Sequence, residues 1–345
     1  MRVLICGAGI AGLALAVLLE RDGHEVVVVE RAPAPHGAGY MLDCQGPGFD
    51  AAESMGLLPE LRARAFTLSE LVYHDDEGAV TGRFADDRPG SDKILSLMRG
   101  ELEDVLYRSL QTQVRFGRTV RSYADLGGGV AVTLSDGEVE RADLLVGADG
   151  IHSQIRALAF GTAGHTFLDL GFHTAAYVFD DLETARVLGN DLHMLEAPGQ
   201  QVGAYPARGG RVAALFTHRT APGAPLPADP RAELHEVYGK RGWLVPKLLD
   251  NCPARPYYDR VAQIDMPSWS HGRVTLVGDA CQAMSLLTGQ GAGMALAAAH
   301  SLADALRLGG DLEAALAHYE RSLKPVVTRV QAEGRAAAEE YIPAG

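Results

Sequence analysis

The chain has 345 residues, 47% of them apolar and 6% aromatic, enough for two substantial units with ordinary cores. Its formal net charge of −13 argues against a nucleic-acid groove, which needs a basic face. No stretch approaches the roughly 18 consecutive apolar residues of a membrane helix, and the amino terminus lacks a signal-peptide cleavage pattern, so no membrane insertion and a cytoplasmic location are expected.

Taken in chain order, residues 3–6 are short, continuously apolar and read as a buried parallel strand. Gly7-Ala8-Gly9-Ile10-Ala11-Gly12 follows and opens an apolar helix that Asp22-Gly23 stops. Residues 26–29 form the next buried strand, ending at Glu30-Arg31. Stretches within 71–84, 172–179, 191–196, 202–206 and 211–218 are strand-like pieces broken by Gly, Pro and Asp, with a hairpin turn at 207–211. Residues 142–146 lead into Gly147-Ala148-Asp149-Gly150, and residues 273–277 into Gly278-Asp279-Ala280. Gly289-Gln290-Gly291-Ala292-Gly293-Met294 then starts a long Ala-rich helix to about 308. Residues 311–340 read as a mixed-charge helix that Pro325 should kink or break, its default role being a solvated cover. Cys6, Cys44, Cys252 and Cys281 are isolated, without metal-ligand spacing, and read as reduced buried thiols.

The fold class is therefore α/β. A discontinuous Rossmann-like unit spans 1–70, 98–165 and 270–310, a mainly antiparallel-sheet unit spans 71–97 and 166–269, and 311–345 is a helical carboxy-terminal segment. Strand before, helix after and an acid at the end of the second strand make the first glycine run a dinucleotide motif. In such a motif Gly7 permits the tight turn, Gly9 lets pyrophosphate approach the backbone, and Gly12 lets helix and strand pack closely. Phosphate charge sits against the free N–H groups of the helix start, and Glu30 accepts from a ribose diol. Asp149 and Asp279 follow buried strands and need donors. Asp149 is equally readable as a helix cap, whereas Asp279 is read as a cofactor contact. The 289–293 loop can present several N–H groups to negative charge developing on a reduced ring.

With these motifs in hand, the chain resembles the single-component, class A FAD-dependent monooxygenases of the aromatic hydroxylase and tetracycline-inactivating type, from residue 1 to about 308. The resemblance rests on Gly7-x-Gly9-x-x-Gly12 with Glu30-Arg31, Gly147-Ala148-Asp149-Gly150 with Ser153 and Arg156, and Gly278-Asp279-Ala280. It implies FAD contacts from Arg99 at a helix start, from Gly39-Tyr40-Met41 near the flavin ring, and from the Val120 backbone at the adenine. Asp149-Gly150 would touch FAD and a transient NAD(P)H, and Gly289 to Met294 would lie against the isoalloxazine. It also implies that NAD(P)H and dioxygen insert one oxygen atom, through a flavin hydroperoxide, into a small aromatic or polycyclic substrate. The flavin carries the chemistry, so no protein nucleophile and no metal are expected. The chain departs from the family pattern at Gln282, Leu286 and Gly293, and the resemblance implies that the last two lie close to the reacting flavin edge.

The substrate belongs between the second sheet and the flavin. Met41, His193, Tyr205, Phe216 and Leu286 are the candidates to line its pocket, although strand alternation turns only one face inward. The expected state is a monomer or weak dimer. Two rivals stand beside this reading. One is a flavin reductase or dehydrogenase without oxygen insertion; the other is a non-catalytic binder of FAD or a small molecule.

Overall fold

A computed structural model describes residues 1–35, 39–85, 93–340 and 342. The parts of the expected 71–97 and 311–345 segments at 86–92, 341 and 343–345 lie outside the described residues.

Val3, Leu4 and Ile5 have almost no exposure, and the strand they form, Arg2–Cys6, runs through the middle of a six-stranded sheet. On one side it pairs in parallel with Glu25–Glu30, and Glu25–Glu30 with the short Arg115–Phe116. On the other it pairs in parallel with Leu144–Gly147, which pairs with Val274–Leu276. An antiparallel Ser270–His271 closes that edge. Both faces of such a sheet are covered, which is why its strands read as unbroken apolar runs. The helix Ile10–Arg21 packs against the Ala-rich Gly291–Arg307, and that helix against the carboxy-terminal one. Residues 120–142, given no strand assignment above beyond their last residue, form an antiparallel meander of Val120–Asp125, Val130–Leu134 and Val139–Ala142.

The second sheet has seven strands, in the order Tyr257–Asp265, Thr166–Asp180, Arg211–Arg219, Gln200–Ala207, Leu192–Ala197, Glu70–His74 and Val80–Ala85. All neighbours are antiparallel except Leu192–Ala197 with Glu70–His74. One face carries Tyr177 and Phe216 into a core with Leu234, Tyr238 and Leu248 from the helices Pro230–Tyr238 and Val245–Asp250. The other face looks toward the first sheet.

Leu312–Glu340 is a single 29-residue helix with Pro325 inside it, so the expected break does not occur. An interior proline costs a helix about 3 kcal/mol. Burial of Leu316, Tyr319, Leu323, Val327 and Val330 along one side offsets that cost. Nor is this helix only a solvated cover, because its Ala338, with Ile342 beyond its end, packs against Phe172 and Val261 of the second sheet. The four cysteines are free and buried. Among the described residues no helix is long and apolar enough to cross a membrane.

Candidate cofactor and substrate site

The two sheets enclose a cleft of about 260 Å³, lined by Gly9, Ile10 and Ala11 from the first turn and by Gly289, Gly291 and Ala292 from the late one. Both turns open helices whose starts carry no side-chain cap and no acidic residue in the first turn. Their free N–H groups and positive dipole ends therefore converge on one space, an arrangement suited to anionic groups.

The three glycines of the first turn have different physical reasons. A Cβ on Gly7, which has φ +114°, would stand 2.2 Å from the Ala148 carbonyl oxygen, and one on Gly12 would stand 2.0 Å from that of Gly7. Protein packing alone forbids side chains there. Gly9 has extended backbone, φ −81° and ψ −173°, which any residue adopts. Its added Cβ would meet nothing nearer than Arg99 Nη2 at 3.9 Å. Among the described residues nothing demands glycine at this position, and the bare backbone leaves room for a ligand to lie against it.

Glu30 ends its strand with both carboxylate oxygens accepting backbone hydrogen bonds, from Ala8 at 2.9 Å and Ala32 at 2.7 Å. It faces a second hollow of about 170 Å³ that Ala8, Leu13, Gly100, Tyr107 and Phe116 complete. The two hollows flank the Gly7–Gly12 turn, one lined by Ala8 and Leu13 and the other by Gly9, Ile10 and Ala11. Arg99 stands between them, its Nε donating to Glu103 at 3.0 Å. Enclosure works against the Arg99 charge, but the carboxylates of Glu103 and Asp279 outweigh it and raise the guanidinium above its usual range.

Asp279 is hemmed in by protein atoms, which raises its carboxyl, with Arg99 pulling it back. Its side chain is nonetheless exposed, because one side opens onto the cleft. Among the described residues its carboxylate has no hydrogen-bond donor. An acid so placed needs hydroxyl or amide donors from a ligand. Asp149 differs. Its carboxylate accepts from the Ser153 hydroxyl, from Gln154 N at 2.7 Å and from Ile155 N at 3.1 Å, so the capping role accounts for its side chain. Gly150 beside it lines the cleft. The buried Arg156 donates to the Ala280 and Ile151 carbonyls, tying the residue that follows the 147–150 turn to the 278–280 turn.

The remaining sequence candidates divide. Tyr40, Met41 and Leu286 line the cleft. Gly39 backs onto Arg99, where a Cβ would stand 2.8 Å from the Arg99 Cβ, and Gly278 backs onto Ala11. Gly293 faces Gln45 and Gly48, and Met294 is buried, so neither lines the cleft; Gln290 does not line it either. Val120 is fully buried, and Arg31 is exposed.

Three pocket candidates stand elsewhere. Phe216 points to the helical side of its sheet, against Tyr177 and Tyr238. His193 lies at the far end of the sheet, its Nδ1 2.9 Å from His74 Nε2 and its Nε2 donating to the Leu188 carbonyl. Tyr205 is on the inward face but covered, its hydroxyl oxygen accepting from Met41 N at 2.7 Å. It supports a lining residue without being one.

The second sheet instead supplies Thr174, Leu215, Tyr257, Asp259, Arg260 and Ala262. Tyr257 reaches across to Tyr40, with ring centroids 5.6 Å apart. Asp259 accepts from His152 Nε2 at 2.9 Å and from Arg260 N at 2.8 Å, and the bond to Asp259 raises His152 above its ordinary range. The edge strand Tyr257–Asp265 was missed from sequence, although Tyr-Tyr-Asp-Arg-Val-Ala-Gln-Ile-Asp has the β-formers to signal it.

Comparison with known proteins agrees with this geometry. The model of the FAD binding domain family matches residues 1–333. An FAD-dependent monooxygenase of Sarocladium schorii is 30% identical over 369 residues, covering 96% of this chain and 85% of its own. A flavin-dependent monooxygenase from an unknown prokaryotic organism is 28% identical, covering 99% and 90%. Among solved structures, tetracycline destructase Tet(51) superposes with a TM-score of 0.88 at 27% identity over 98% of this chain and 90% of that one. Klebsiella pneumoniae HpxO, complexed with FAD and uric acid, gives 0.82 at 25% identity over 98% and 88%. The chain belongs to the FAD binding domain family and, within it, to the class A flavin-dependent monooxygenases, which are oxidoreductases.

Proposed function

We propose that this monooxygenase uses NAD(P)H and dioxygen to insert one oxygen atom into a small organic, aromatic or polycyclic, substrate. The observation that carries the placement is the convergence, on one cleft walled by a second sheet, of two uncapped helix starts and Asp279, whose carboxylate no described residue hydrogen-bonds. When bound, FAD supplies the transfer of electrons from the nicotinamide to dioxygen. The protein holds and shields it. The N–H groups from Gly9 to Ala11, with Arg99 nearby, take the pyrophosphate, and Glu30 takes the ribose. Asp279 accepts from the ribityl chain, and the Gly289–Ala292 turn lies along the ring. The segments 1–70, 98–165 and 270–310 form the cofactor unit, and the second sheet roofs the site and excludes water.

Leu215, Met41 and Leu286 give that space an apolar lining suited to a flat ring system, the Thr174 hydroxyl being taken by the Phe216 carbonyl, while Asp259 and Arg260 add one acceptor and one donor. The relatives whose names mention tetracycline and uric acid support a ring-shaped substrate of this kind. The test supplies the FAD-loaded protein with NADPH and isotopically heavy dioxygen against a panel of polycyclic phenols. A product carrying one heavy oxygen atom is expected. NADPH consumption that yields only hydrogen peroxide across the panel would favour the reductase reading.

A further inference from the structure

The carboxy-terminal helix reaches the stretch that edges the cleft. Ala283, Met284, Ser285 and Leu286 line it, and Ser285 has left-handed backbone, φ 77°. Two carbonyls of this stretch are held from behind by buried amides, and the Ile264 N–H also donates to Ala283 O at 3.3 Å. Gln331, on the helix, donates from Nε2 to Ala283 O at 3.0 Å and to Ile264 O at 2.8 Å. Gln263, on the edge strand Tyr257–Asp265, donates from Nε2 to Met284 O at 3.0 Å and to Gln331 O at 2.9 Å. Arg335 donates to Gln263 Oε1 at 2.9 Å, which fixes the orientation of that amide. Each Nε2 spends both of its hydrogens, and both side chains are buried. Gly334 allows the close approach, since a Cβ there would stand 2.6 Å from Thr288 Cγ2.

This network determines what the cleft sees. In a trans peptide the N–H points opposite to the C=O. With the Ala283 carbonyl held by Gln331 and the Ile264 N–H, and the Met284 carbonyl by Gln263, the N–H groups of Met284 and Ser285 turn away from these donors, in a stretch that lines the cleft. Neither N–H has a hydrogen-bond partner among the described residues, and an enclosed N–H without a partner is rare in folded proteins. We propose that Gln331 and Gln263 are positioning residues that present the Met284 and Ser285 N–H groups as a donor pair to the edge of the bound flavin, stabilising the charge it gains on reduction. The inference rests on the flavin lying against this stretch, as proposed above. Donors fixed before reaction favour the more negative state without reorganising.

The test is the flavin midpoint potential of the FAD-loaded full chain, measured by dye equilibration without any substrate. Gln331→Met keeps the shape and removes both donors. It should bind oxidised FAD within about twofold of the wild type. Its preference for reduced over oxidised FAD should fall about tenfold, which lowers the potential by about 30 mV for a two-electron couple. Gln331→Glu adds a signature that a packing role would not give. As a neutral acid it still donates one hydrogen bond, whereas as a carboxylate it repels both carbonyls, Arg335 being the charged group nearest the network. Its difference from the wild type should therefore grow as the pH is raised. A Gln331→Met potential equal to the wild type overturns the inference, as does a Gln331→Glu difference that ignores pH. If Gln331→Met does not fold, the glutamate series decides; if neither folds, the network is a folding element and the inference falls. A wild-type chain that takes up no FAD would instead refute the cofactor placement, so the two failures are distinguishable.

Discussion

Within one six-residue turn, two single-methyl substitutions should fail in opposite ways. Gly9→Ala places a methyl group in space that the protein leaves open, 3.9 Å from the nearest side-chain atom and on extended backbone. The chain without cofactor should lose no more than about 1 kcal/mol, the difference between glycine and alanine at a helix N-cap. A pyrophosphate resting on that backbone would be pushed off one or two charge-assisted hydrogen bonds, each worth roughly 1.5–3 kcal/mol. Losing about 3 kcal/mol weakens binding by more than about a hundredfold. Gly12→Ala instead puts its methyl 2.0 Å from the Gly7 carbonyl oxygen, so strand and helix must separate. It should lower the melting temperature whether or not FAD is present. Thermal melts of the cofactor-free proteins, together with FAD titrations followed by flavin fluorescence, measure both effects. Wild-type FAD affinity in Gly9→Ala would refute the reasoning, and so would a Gly9→Ala chain that melts like Gly12→Ala.

Other outcomes follow from the same structure. Asp279→Ala should weaken FAD binding at least about tenfold without lowering the cofactor-free melt, because no described residue donates a hydrogen bond to the carboxylate and enclosure outweighs the pull of Arg99 on its charge; a melt that drops by several degrees would contradict this. Tyr205→Phe strands the Met41 N–H that now donates to the hydroxyl oxygen, and should cost about 1–3 kcal/mol in denaturant unfolding. Burial, reinforced by the neighbouring His173, pulls His218 down to about 4. A histidine lowered by folding binds its proton more readily when unfolded, so its stability contribution is whole above about pH 6.5 and is lost as the pH falls toward 4. At pH 5 the wild type should have lost about 2 kcal/mol more than His218→Gln relative to neutral pH, a gap that parallel denaturant titrations would detect.

The parts of the fold that local sequence encodes were legible. The glycine turns could be read because backbone contacts such as Gly12 against Gly7 leave no alternative residue. The hairpin around Arg208-Gly209-Gly210 could be read because its turn residues adopt positive φ. Side-chain direction in the second sheet was not legible, because Leu215 and Phe216 differ by one residue and thereby face opposite cores. Which parity faces the flavin depends on where the helices Pro230–Tyr238 and Val245–Asp250 settle, and that is a tertiary matter. The Gln263–Gln331 network spans 68 residues of sequence and leaves no local pattern. Proline at 325 misled for a related reason, since long-range burial along the last helix outweighs a local propensity.

The visible spectrum of the purified, FAD-supplied protein, mixed anaerobically with NADPH and then opened to air, decides whether this cleft holds a flavin that nicotinamide reduces and dioxygen reoxidises. A yellow protein is expected that bleaches with NADPH, faster in the presence of a suitable ring-shaped ligand, and recovers its colour as oxygen is consumed. A protein that stays colourless after incubation with FAD, or one whose yellow colour NADPH never bleaches, would contradict this.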